Sequence, residues 1–165
     1  MKKFVIFLLV SVFTAGVFLA ADPVEGFWIS VDEKTQKPTA GWEIYTTGGK
    51  LFGKVLSVAD HPQDVKADKC NDSYRGFPVS GKVSEMTVVG TPWIFGLTMD
   101  RAGVWSGGNV IDPDEGRMYG CRITFRAMDG NKYKTDTLEM RGTIGPFGRS
   151  QFWQKATREQ ASALR

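Results

Sequence analysis

Few residues in this chain are of the types that carry out covalent chemistry. His61 is the single histidine, in a loop beside Pro62, so a Ser-His-Asp relay or a multi-histidine metal site would have to be built around it alone. No Gly-x-Ser-x-Gly elbow occurs, since Gly145-Pro146-Phe147-Gly148-Arg149-Ser150 lacks the spacing. Asp112, Asp114 and Glu115 offer oxygen ligands at a spacing that suits calcium. Yet Gly116 falls at the fifth position of that loop rather than the sixth, and Ile123 stands where the twelfth-position Glu belongs. A solvated turn is the better reading. Cys70 and Cys121 lack the companion ligands of a zinc site, and Gly142, Gly145 and Gly148 follow a three-residue period that is not a dinucleotide fingerprint.

Five tryptophans remain (Trp28, Trp42, Trp93, Trp105 and Trp153), with polar residues near strand ends. Aromatics around a concavity with a few polar groups describe a small-molecule site, and an arginine fork within one selects a carboxylate or phosphate. The candidate ligand-binding set is Asn71, Arg75, Trp105, Asp112, Tyr119, Arg141 and Trp153. Two plainer readings stand beside it: tryptophans as barrel core, and Arg141 on the outer face paired across strands. No catalytic residue, metal or cofactor is assigned. An enzymatic reading would need Asp112, Tyr119 and Arg141 to converge in one pocket.

Those residues must be held by strands. The central stretch, Val104 to Cys121, reads as strand, acidic turn and strand, with Pro113 and Gly116 as turn formers. From Arg117 to Ala127 the pattern alternates, Tyr119, Cys121, Ile123 and Phe125 sharing a face, which is the period of a half-buried antiparallel strand. Further strands are predicted at 26–31, 42–46 and 50–58, joined by a Gly48-Gly49 hairpin turn, with Gly53 marking a bulge or bend. Two apolar pieces, 86–89 and 93–99, are split by Gly90-Thr91-Pro92. After an Asp129-Gly130-Asn131 turn, 132–142 places Leu138 and Met140 on one face and Glu139 and Arg141 on the other. A last strand covers 150–154. Residues 59–78 form the longest irregular segment, of a length that is usually functional or floppy. About eight strands joined mostly in order predict an all-β, up-and-down antiparallel barrel, with a β-sandwich second.

The N-terminus addresses the compartment. Met1-Lys2-Lys3 followed by an apolar run to Ala21 has the charge, length and position of a secretory signal peptide. The expected organisation is a signal helix at 1–21, a barrel domain at 22–156 and a polar tail at 157–165, in an exported, periplasmic or extracellular protein with no membrane span after cleavage. Removal of Lys2 and Lys3 takes the net charge from +3 to +1, with 19 basic residues against 18 acidic, so nothing suggests nucleic acid as partner. A small-molecule ligand is the partner the composition favours, and no protein partner is named by it. In an oxidising compartment Cys70 and Cys121 are expected to pair, stabilising by roughly 4 kcal/mol in the chain-entropy model, in preference to two separate buried thiols.

Gly26-Phe27-Trp28, Leu51-Phe52-Gly53-Lys54-Val55 and Asn71 through Gly81 resemble the opening elements of a secreted bacterial family, domain of unknown function 2147. The likeness strengthens at Trp105 to Tyr119, which is similar to that family's W-x-G-G-x-I-x-D-P-x-x-G-K-x-Y signature. It extends through Leu138-Glu139-Met140-Arg141-Gly142 and Phe147 to Trp153. The resemblance implies a lipocalin-like barrel and supplies no reaction. The function expected is ligand binding in the barrel, with a solid envelope-associated structural or protein-interaction domain using 59–78 as the alternative.

Overall fold

Alternating apolar and polar residues, cut by glycine turns, leave each strand with one face to bury, and closing the sheet on itself buries all of those faces together. The computed structural model describes residues 21–165, so the expected signal segment lies outside the described residues except for Ala21. Among them, eight strands run in sequence order: β1 (Gly26–Val31), β2 (Pro38–Thr47), β3 (Lys50–Val58), β4 (Ile94–Arg101), β5 (Val104–Asp112), β6 (Arg117–Arg126), β7 (Thr137–Ile144) and β8 (Phe147–Ala156). Each pairs antiparallel with the next, and β8 returns to β1 to close the barrel. The all-β, up-and-down barrel expected from the sequence is the fold observed.

Strand direction defines two ends, and they differ. At one end Val24, Trp28, Leu51, Leu97, Ile123 and Leu138 are all fully buried, with Trp105 among them. The segment before β1 seals this end: the Trp28 indole donates to the Val24 carbonyl at 2.9 Å, and Gly103 N donates to Asp22 Oδ2 at 3.0 Å. Gly53 belongs to the same packing, because a Cβ there would lie 2.7 Å from Ile44 Cδ1 and 3.1 Å from Ile94. The β3–β4 register also shifts beside it, so the expected bulge is present.

The other end carries the β1–β2 loop, the β5–β6 and β7–β8 turns, and the connection from Ala59 to Trp93. That connection is not floppy. Of the two apolar pieces expected at 86–89 and 93–99, only the second becomes a strand. The first makes a bridge from Thr87 to Lys66 and another from Val89 to Val55, patching the wall where β3 and β4 diverge. Ala67, Cys70, Tyr74, Val88 and Trp93 are buried, and Phe77 stacks on Trp93 at 6.0 Å between ring centroids.

The expected Cys70–Cys121 disulfide is corrected: both cysteines are buried and free. Cys70 lies at the barrel mouth, its Sγ 4.0 Å from the Pro113 carbonyl, beside the β5–β6 turn. Cys121 faces Gly108 and Gly142 well inside the wall. The five residues from Gly116 to Cys121 extend about 16 Å, whereas bridged Cα atoms lie roughly 4.4–6.8 Å apart. Side-chain packing and a hydrogen bond, not sulfur, fasten the connection: Tyr74 Oη donates to the Gly116 carbonyl at 2.7 Å.

The polar tail is ordered into one helical turn, α1 (Arg158–Ala161), capped by Thr157 and Gln160 in a reciprocal box. It packs on β1 and β2, with Arg158 over the Phe27 ring and beside Glu43, and reaches β3 through Ser57. Ser57 Oγ donates to the Ala161 carbonyl at 2.7 Å, and Gly41 is the close-approach point, since any Cβ there would overlap that carbonyl.

Candidate functional site

Above the packed end the barrel is hollow. A cavity of about 540 Å³ opens through the mouth between the four connections at that end. Its deep wall is apolar: Trp42 from β2, Val55 from β3, Val110 from β5, Met140 and Gly142 from β7, and Trp153 from β8. Two-residue periodicity accounts for each pair on one strand, since a residue facing the lumen puts the next-but-one there as well. Trp42 and Trp153 stack with ring centroids 4.7 Å apart and planes at 23°. Both indole N–H groups are satisfied within the wall, Trp42 on Ser30 Oγ at 3.2 Å and Trp153 on Gln151 Oε1 at 3.1 Å. Stacking and these two bonds therefore hold the rings rigidly, with Trp42 8% exposed and Trp153 only 1%.

The rim is charged. Asp112, the last residue of β5, lies two positions beyond Val110 and lines the cavity with it. Its Oδ1 accepts from Asp114 N at 2.9 Å and Glu115 N at 3.3 Å, which closes the acidic turn. Burial pushes its carboxyl above the ordinary aspartate value, and repulsion from Asp114 and Glu115 adds to this against the two N–H bonds. Tyr119 Oη donates to Glu115 Oε2 at 2.7 Å, and that bond, followed by burial, raises the phenol. Asp60, His61, Lys66, Asp68 and Lys69 from the long connection, and Arg149 from β8, complete the rim. Arg149 is committed elsewhere, its Nη2 lying 3.0 Å from Glu33 Oε2 in the β1–β2 loop.

Of the residues predicted from sequence, Asp112, Tyr119 and Trp153 line one cavity. The others lie elsewhere. Asn71 is exposed and donates to the Asp68 carbonyl at 2.9 Å, while Arg75 is exposed in the long connection. Trp105 belongs to the packed end, with its Nε1 buried and without a hydrogen-bond partner among the described residues. Arg141 points outward and donates to Ser150 Oγ at 3.3 Å, and that hydroxyl in turn donates to Glu139 Oε1. Asp112 and Tyr119 therefore do not converge with Arg141, and the constellation an enzymatic reading requires is not assembled. Residue type alone misses Trp42, Met140, Gly142 and Gln151. Alternation from Trp153 to Gln151 and from Leu138 to Met140 to Gly142 carries the signal for three of them. Trp42 reaches Trp153 only because the barrel closes, which no local pattern shows.

A family model described as an uncharacterized protein conserved in bacteria (DUF2147) matches residues 26–155, the span of the barrel. Among solved structures the chain is similar to protein HP1028 from the human pathogen Helicobacter pylori, described as belonging to the lipocalin family. The identity is 19%, the TM-score 0.63, and the match covers 82% of this chain and 84% of that one. At that identity the likeness carries the fold. None of the curated proteins matches the chain.

Proposed function

The chain belongs to the bacterial DUF2147 family, and from the barrel that this match spans we propose that it is an exported binding protein holding a small, partly apolar ligand in the open half of the lumen. The observation that carries the reading is the cavity of about 540 Å³ floored by the stacked Trp42–Trp153 pair. Its size lies within the range of roughly 300–1,000 Å³ typical of small-molecule sites, and its wall has their composition, apolar with a few polar groups. Asp112, Tyr119 and Trp153 are the sequence-predicted residues assigned to it, joined by Trp42, Val110, Met140 and Gln151. Export rests on the charge and apolar pattern of residues 1–21, and sequencing the N-terminus of protein from the periplasmic fraction tests it. The expected mature chain starts at Ala21 or Asp22.

A purely structural role, with 59–78 meeting a protein partner, is the weaker reading. The apolar side chains of that segment, Ala67, Cys70 and Tyr74, are packed against the barrel, which leaves polar residues outward. Titration with the neutral fluorophore N-phenyl-1-naphthylamine tests the binding reading directly. Saturable fluorescence gain is expected, with energy transfer from Trp42 and Trp153, and decanol should displace the probe. A purified, folded protein that takes up neither compound would overturn the proposal.

A further inference from the structure

The cavity has a polarity gradient with a sign. Its floor is indole, valine and methionine, and its rim brings together carboxylates from two separate segments: Asp60 and Asp68 from the long connection, and Asp112, Asp114 and Glu115 from the β5–β6 turn. Among the described residues, no lysine or arginine forms an ion pair with any of these five. The rim also holds cations. Arg149 is bound to Glu33 across the mouth and also lies in the field of Glu115, and Arg117 stands across the strand pair from Asp112. Lys66 and Lys69 are solvent-exposed, as are Asp60, Asp68, Asp114 and Glu115. The depth of the groups decides between the signs. Asp112 is the charged residue next to the apolar chamber, half-buried beside Val110, and it lacks the countercharge that burial of a carboxylate calls for. Glu115 stands beside it, one oxygen held by the Tyr119 hydroxyl.

Resting on the reading of this cavity as a binding site, we propose that its ligand is a cationic amphiphile. Its ammonium or guanidinium head would lie at Asp112 and Glu115, and its apolar body over the Trp42–Trp153 pair. A ligand cation supplies the countercharge Asp112 lacks, and the half-desolvated setting strengthens that pairing relative to water. Its first carbons then meet the part of the Trp42 ring that remains accessible from the cavity, with Trp153 packed behind it, where a cation and its attached methylenes are both favoured. A fatty carboxylate would place like charge beside Asp112 instead.

Three probes of equal chain length separate head from body: decylammonium, decanoate and decanol, each titrated calorimetrically into the wild-type protein. Phenethylammonium, as a fourth, distinguishes an aromatic body from an alkyl one. Decylammonium is expected to bind about tenfold or more tighter than decanoate, and its affinity should fall as salt is raised while decanol's does not. In a D112N/E115Q variant the preference for decylammonium over decanoate should collapse to within about threefold, and that ratio is the readout. If decanoate binds as well as or better than decylammonium while decanol binds, the head-group assignment fails and the binding site stands. If none of the four binds, the binding reading itself fails and takes this inference with it. Should the double variant not fold, the salt dependence in the wild-type protein still separates a charged head-group site from a purely apolar one.

Discussion

Asp112 is held in a setting that disfavours its charge, which makes it a measurable trade between stability and function. A carboxyl whose folded pKa is raised above its unfolded value binds its proton more tightly in the native state. Stability therefore increases as pH falls through that window and is lost as pH rises through it. Asp112→Asn keeps an oxygen to accept the Asp114 and Glu115 N–H bonds while removing the charge. The variant is expected to melt at or above the wild-type temperature near pH 7, with its advantage shrinking as the pH is lowered toward the aspartate range. A clear loss of stability at pH 7 would mean that the ionised group is structurally required. The cysteines give a second residue-scale expectation. Burial pushes the Cys121 thiol up to about 12, so it should be inert to a thiol reagent in the native protein. Denaturation without reductant should release two titratable thiols, whereas a disulfide would release none. At this scale the sequence is half legible. Residue type and alternation place Asp112, Tyr119 and Trp153 around one lumen. Residue type groups Arg141 with them, whereas its alternation with Met140 and Gly142 assigns it to the other face, where it lies. The disulfide expectation rests on compartment and number, which say nothing of how far apart along β6 two buried thiols lie.

Elements behave differently, because the strands are legible from their period and the connections are not. Strands at 26–31, 50–58 and 104–126 follow from alternation and turn residues. The segment 59–93, however, contributes wall through Lys66–Thr87 and Val55–Val89 bridges that only the neighbouring strands define. Its anchorage to the β5–β6 turn is specific. Tyr74→Phe removes the bond to the Gly116 carbonyl and leaves that acceptor without it, so a loss of about 1 kcal/mol is expected in denaturant unfolding. Hydrogen exchange should quicken in both 70–77 and 112–117, since the bond couples the two segments; exchange that changed in only one of them would argue against a shared anchor. At Gly116, φ of 67° and a Lys69 carbonyl where a Cβ would stand make alanine substitution more damaging than the tyrosine change. The tail likewise reads as dispensable polar sequence until Gly41 and Ser57 are seen to have been left small and polar to receive it. Deleting 158–165 should cost roughly 1–2 kcal/mol by exposing that face.

On the scale of the whole molecule, the informative contrast is between the two halves of one barrel. A chain selected only for a stable wall would fill the lumen throughout, since a void forfeits packing contacts. Here three large side chains, Trp28, Leu51 and Leu138, fill one end, and glycine at 142 keeps the other open. Gly142 adopts ordinary strand geometry, and a Cβ there would meet only Tyr119 atoms at 3.6 and 3.8 Å, so no backbone constraint calls for glycine. Gly142→Val therefore separates the demands of folding from those of binding. β-Branched valine suits a strand better than glycine and adds apolar surface inside the barrel, so the melting temperature should stay within about 3 °C of wild type or rise. Its isopropyl group projects into the lumen beside Tyr119 and Met140, and uptake of N-phenyl-1-naphthylamine should fall at least about tenfold, a loss of some 1.4 kcal/mol in binding. Wild-type uptake with valine in place would put the ligand outside the lumen, while unfolding would assign the glycine to the wall rather than to the space it leaves.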